Sequence, residues 1–190
     1  MAIALLVHSL VDDAAILVAQ LHLGSSAGVS YVSSRILGHC KEGIRQVKET
    51  SQIFERLGRT LELTRCLEQL ARLLYDNGQL DDAEQAALQS IKLLPEEGHE
   101  CDICQSRSTL GDIYCSNGQR EQAVRHYEVA LGIASSFNLS VHLFWIHMSL
   151  AMLSLAEGEL DDAYAHITQA KPHALGELYY LGRITLLQAV

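Results

Sequence analysis

The chain has 190 residues, and a hydrophobic content of 48% is ample for a packed core and argues against disorder. Two prolines and 6% aromatic residues, beside abundant Leu and Ala, favour helices over a sandwich or barrel, so an all-α fold is expected. A net charge of −9, from 14 Lys+Arg against 23 Asp+Glu, with no basic stripe to track phosphates, argues against nucleic acid as a partner.

Residues 1–24 open on MAIALLVHSLV, which lacks the basic n-region and small-residue cleavage site of a signal peptide. Asp12 and Asp13 interrupt the run well short of a membrane span, so it reads as an apolar N-terminal helix and no membrane partner is expected. Five cysteines, Cys40, Cys66, Cys101, Cys104 and Cys115, form an odd set without the spacing of a disulfide framework; reduced thiols in a cytoplasmic setting fit them best.

Three near-copies of one heptapeptide recur at a constant spacing: NGQLDDA from Asn77, NGQREQA from Asn117 and EGELDDA from Glu157. Residues 25–57, ahead of them, read as a degenerate helical repeat, in which Gly38 and Gly43 precede Gly78 and Ala83 by that same spacing. Each heptapeptide is flanked by apolar runs of helical character, which makes helix, tight turn, helix. The glycine at 78, 118 and 158 sits where a left-handed residue satisfies the last carbonyls of the first helix without a Cβ penalty. Asp81 and Asp82, Glu121, and Asp161 and Asp162 place carboxylates in the first turn of the second helix, where the macrodipole favours them.

Small residues keep register around each turn. Ala71, Gly111 and Ala151 precede it; Ala83, Ala123 and Ala163 follow it; Ser90, Ala130 and Ala170 recur further along the second helix. Matched small side chains let two antiparallel helices approach closely. The repeats divide at 58–97, 98–137 and 138–174, and residues 175–190 read as the first helix of a truncated repeat, as though the chain were a piece of a longer array. Hairpins of this kind bury their apolar faces only by stacking, which predicts a right-handed superhelix with a concave face built from the first helices.

The stretch STLGDIYCSNGQREQAVRHYEVALGIA closely resembles a tetratricopeptide repeat: Leu110, Gly111 and Tyr114 match its Leu-Gly-x-x-Tyr core, and Ala123, Tyr127 and Ala130 match its second helix. Arg107 stands where that family often has Trp. Leu70, Ala71, Leu74, Gly78, Ala83, Ser90 and Pro95 match in the preceding unit, and Leu150, Ala151, Gly158, Ala163 and Ala170 in the following one, with its proline displaced to Pro172. A period of 40 departs from the usual 34 and resembles the longer-repeat arrays of kinesin light chains, polarity adaptors and the sensor regions of signal-transduction NTPases, while LGIASSFNLSVHLFWIHMSLA and DDAYAHITQAK resemble the repeat regions of large fungal NTPase-linked proteins. The resemblance implies an α-solenoid that binds a protein or peptide and carries no catalytic centre.

Chemistry is sparse. His99, Cys101 and Cys104 in GHECDIC have ligand-like spacing, but no second Cys-x-x-Cys or His pair completes a four-ligand zinc site, so neither metal nor cofactor is expected. A metal or redox sensor centred on Cys101 and Cys104 is the alternative function. His142, His147, His166 and His173 are the histidines closest together in sequence; His142 and His147 are five apart and share no helix face, so solvated or hydrogen-bonded roles are expected. GHCKEGIR has two glycines separated by four residues, but Ile44 and Arg45 replace the Lys-Ser/Thr of a phosphate loop.

Surface recognition remains. First-helix positions outside the Leu, small and aromatic pattern should face the groove: Arg65, Glu68, Arg72 and Tyr75; then Gln105, Ser108 and Asp112; then Trp145, Met148 and Met152. Trp and Met would serve as anchors there, and core burial of Trp145 and Met148 is the competing expectation. Open solenoid ends would also allow copies of the chain to self-associate.

Overall fold

A computed structural model describes residues 40–95 and 97–174. The apolar segment at 1–24, the first part of the 25–57 repeat and the proposed helix at 175–190 lie outside the described residues. Among the described residues there are seven α-helices and no strand. They fall into two compact units, divided at Pro95.

The first unit holds α1 (Cys40–Arg56), α2 (Thr60–Asp76) and α3 (Leu80–Leu93). α1 packs on α2 and α2 on α3, so α2 is the central helix. Each apolar stripe follows the helical period: Ile44, Val47 and Phe54 from α1, Leu67, Leu70, Ala71 and Leu74 from α2, Ala83, Ala86, Ala87 and Ser90 from α3, all buried. The second unit holds α4 (Glu100–Ser116), α5 (Arg120–Ser136), α6 (Ser140–Ala156) and α7 (Leu160–Ala170), closed by a 3-10 turn at Lys171–His173. α4 pairs with α5 and α6 with α7, while α6 also packs on α5 and α4 and so joins the two pairs.

The turns explain the regularity. Gly78 has φ 76°, and its N–H donates to the Tyr75 carbonyl at 2.9 Å while the Gln79 N–H donates to the Leu74 carbonyl at 2.9 Å. This crossed pair of bonds, a Schellman motif, satisfies two carbonyls that the helix end would leave orphaned. It recurs at Gly118, where Gly118 and Gln119 donate to Cys115 and Tyr114, and at Gly158, where Gly158 and Glu159 donate to Leu155 and Ser154. Sequence reasoning located those three turns. It missed the same motif at Gly58 (φ 65°) and at Asn138 (φ 51°), which stops α5 with the one non-glycine side chain in a left-handed conformation among the described residues. Successive helices therefore begin at equal intervals, at Thr60, Leu80, Glu100, Arg120, Ser140 and Leu160, because a helix and the connection after it take up the same length of chain each time.

The small-residue registers are buried: Ala71, Ala83, Ser90, Ala123, Ala130, Ala151, Ala163 and Ala170 are all in the core. At Gly111 the reason is visible in atoms. A Cβ there would meet the Tyr127 ring, 2.6 Å from Cδ1 and 2.8 Å from Cζ, so only glycine lets α5 lay that ring across α4.

Candidate partner-binding surfaces

Arg65, Glu68, Arg72 and Tyr75 lie three or four residues apart on α2, hence on one helix face. None belongs to the core; Arg65 is exposed and the other three are half-buried. Arg72 and Glu68 form an i,i+4 ion pair at 3.9 Å, which fixes the relative position of the two charges on this face. That surface combines two guanidinium groups, a carboxylate and a phenol, and it belongs to the first unit alone.

In the second unit the predicted residues are not equivalent to one another. Gln105 and Ser108 are half-buried on α4. Asp112 instead holds the fold together, since its Oδ1 accepts the Tyr127 hydroxyl of α5 at 2.6 Å and the Ser149 hydroxyl of α6 at 3.0 Å. One carboxylate oxygen thus joins three helices. Burial, with the Asp112 charge next to it, drives the Tyr127 phenol far above its ordinary pKa, so the ring is a permanent donor.

On α6, Met148 is 1% exposed and packs in a core cluster with Phe144, Ala151, Ile167 and Ala170. A side chain so enclosed has no surface to offer a ligand, and the expectation that placed Met148 on the groove gives way to core packing. Trp145 is half-buried, rests against that cluster and meets Phe144 edge-on at 5.2 Å between ring centroids. Met152, 51% exposed, is the apolar side chain of this set that solvent reaches.

The cysteines do not assemble as the alternative function required. Cys104 is buried and its Sγ donates to the Ala130 carbonyl at 3.4 Å, whereas Cys101 is exposed, with Sγ 3.8 Å from Nε2 of His142 on α6. Burial pushes the Cys104 and Cys66 thiols up to about 12, and that of Cys115 up as well, away from the thiolate that redox or metal chemistry uses. Among the described residues no group of three or more His, Cys, Asp and Glu side chains is placed to hold a metal ion.

Histidine placement was the part that sequence spacing missed. His126 stacks on Tyr114 at 5.2 Å between centroids and faces the Arg107 guanidinium, whose Nη1 lies 3.5 Å from His126 Nδ1 and whose buried Nε has no hydrogen-bond partner among the described residues. His147 of α6 and His166 of α7 bring their Nδ1 atoms to 3.4 Å. Arg107 with His126 and His147 with His166 have the same sequence separation, one that only an antiparallel turn closes. The signal in sequence would have been the same offsets before and after the turn glycine, not helix periodicity.

The tetratricopeptide repeat family is matched twice, over residues 63–94 and over residues 107–138, which correspond to α2 with α3 and α4 with α5. Both units of the chain therefore contain tetratricopeptide repeats. No curated protein matches the chain. Among the described residues no helix is long and apolar enough to cross a membrane.

Proposed function

We propose that the protein is a non-catalytic interaction module that binds a protein or peptide on the faces of its first helices, with α2 of one unit and α4 with α6 of the other each taken as a surface by itself. Tetratricopeptide repeats generally mediate protein–protein interaction, and such repeats use the concave side formed by their first helices. The observation that carries the reading is on α2: Arg65, Glu68, Arg72 and Tyr75 share a helix face, stay out of the core, and present groups suited to a polar peptide with a carboxylate. On α6 the half-buried Trp145 and exposed Met152 supply apolar contact area. The long repeats resemble those of NTPase-linked regulators, and in that setting the module would act as sensor or scaffold within a larger, cytoplasmic protein.

The test treats the two units separately. Once a partner is captured, Arg65→Ala with Arg72→Ala should weaken binding at least about tenfold, as should Trp145→Ala with Met152→Ala, if these are energetic centres of the interface. Circular dichroism should show helicity unchanged in both. Retained affinity in both double variants would move the site off the first helices and overturn the reading.

A further inference from the structure

α6 and α7 are antiparallel and joined at Gly158, so residues before the turn face residues after it across the pair. His147 and His166 meet in this way: Nδ1 to Nδ1 is 3.4 Å, the ring centroids are 5.6 Å apart, and the planes differ by 33°. The nitrogens are the ring atoms that confront each other. His147 is 6% exposed, while His166 is half-buried, so the contact has one wall in the core and one opening to solvent.

Two imidazole nitrogens in this position satisfy each other only in part. In neutral rings one Nδ1 carries a proton and can donate to the other, and 3.4 Å makes that a long, weak bond. The separation also fits a second arrangement. Two ligands on one tetrahedral metal, each at the Zn–N distance of about 2.0–2.1 Å, are about 3.3–3.4 Å apart. The torsional wells about the Cβ–Cγ bonds of histidine are broad, so ligation of a common ion would call for ring rotation rather than a change of rotamer.

The geometry points to a two-histidine site for a divalent transition-metal ion, bridging α6 and α7 through Nδ1 of His147 and Nδ1 of His166, with water in the remaining positions. Imidazole nitrogen suits zinc, copper and nickel. Both rings are held in the neutral form that ligates: burial, then the neighbouring His166 and His173, lower His147, and burial lowers His166 against the opposing pull of Asp162. No third His, Cys, Asp or Glu of the described residues is placed as a ligand, and an ion held by the two rings fastens the α6–α7 pair over the cluster of Phe144, Met148, Ala151, Ile167 and Ala170. An ion that binds only the folded pair stabilises it by mass action.

The experiment is a titration of the full chain, freed of metal with chelator and then dialysed, with Zn2+ at neutral pH, read by calorimetry and by the melting temperature. One Zn2+ per chain and a rise in melting temperature are expected, with His147→Gln and His166→Gln each weakening binding at least about tenfold by removing one of two protein ligands. His126→Gln should bind as the parent does. His166 is only half-buried, so His166→Gln keeps the test valid where His147→Gln fails to fold. Cu2+ bound to the parent should show two-nitrogen coupling in its electron paramagnetic resonance spectrum, and one nitrogen in His166→Gln. Absence of stoichiometric Zn2+ binding, or equal binding by His166→Gln, would overturn the proposal.

Discussion

The Tyr127 ring occupies the space that a side chain at Gly111 would need: a Cβ there would stand 2.6 Å from Tyr127 Cδ1. Two opposing effects bear on Gly111→Ala. Alanine in a helix interior gains about 0.5–1 kcal/mol over glycine, while overpacking a filled core costs about 1–3 kcal/mol. The ring is buried and tethered by its hydroxyl to Asp112, so it cannot simply swing aside, and the clash should win. Gly111→Ala is expected to lose about 1–2 kcal/mol in urea denaturation. In a Tyr127→Leu background the same Gly111→Ala change should cost less, and strict additivity of the two changes would show that the ring and the glycine are not coupled.

A second prediction contrasts two glycines with open space around them. Gly118 has φ 71° and closes α4; Gly132 lies inside α5 with an ordinary helical backbone, and an added Cβ would meet nothing within 4 Å at either position. Alanine at 118 should therefore cost about 1–2 kcal/mol through its left-handed backbone alone. At 132 it should stabilise by about 0.5–1 kcal/mol. Thermal melts of the two variants ought to shift in opposite directions.

The Asp112 hub makes a third case. Tyr127→Phe removes a hydroxyl donated to a carboxylate and should destabilise by about 1.5–3 kcal/mol. Because Ser149 donates to the same Oδ1, Ser149→Ala should cost less alone, and the combined variant should depart from the sum of the two. A double-mutant cycle measures the departure. Zero coupling would mean that the shared oxygen does not link α5 to α6 energetically.

The histidine pair gives stability a pH dependence in metal-free protein kept in chelator. His147 falls to about 4 from an ordinary value of 6.5, mainly through burial, so the folded state resists its protonation. Above the unfolded value both states hold His147 neutral and its contribution is complete. As pH falls from about 6.5 towards 4 the unfolded chain takes up the proton first, and stability declines by something on the order of 3 kcal/mol before levelling below the folded value. His147→Gln should flatten the profile in that window, and an unchanged slope would assign the acid sensitivity to other groups.

Thiol accessibility offers a simple check on the cysteines. Cys66 and Cys104 are buried, and their thiols are pushed up to about 12. In native protein at mildly alkaline pH an aromatic disulfide reagent should label Cys101 first and reach Cys66 and Cys104 only on unfolding. Mass spectrometry of the labelled peptides reads the order directly, and early labelling of Cys104 would contradict its packing against Ala130.

Three turns, the small-residue registers and the all-helical fold were legible in the residues because each rests on a property a single position carries. A glycine that must take a positive φ, or a side chain that must be small for two helices to meet, shows its requirement wherever the unit is repeated. Asn138 escaped notice because a motif read as glycine hides its asparagine form, although asparagine tolerates the left-handed backbone.

Met148 and Met152 show where that legibility ends. They are the same residue type, four apart on α6 and assigned to the same face, yet one is 1% and the other 51% exposed. α6 is apolar nearly all round, so its own period cannot say which side will be covered; Ile167 and Ala170 of α7 cover Met148. Backbone conformation and local sterics are properties of short stretches, and they suffice to set the helices, their turns and the positions that must be small. The seating of Tyr127 on Gly111, the two hydroxyls gathered by Asp112 and the meeting of His147 with His166 belong to no short stretch. Those contacts depend on how far one helix slides along its partner before its side chains lock.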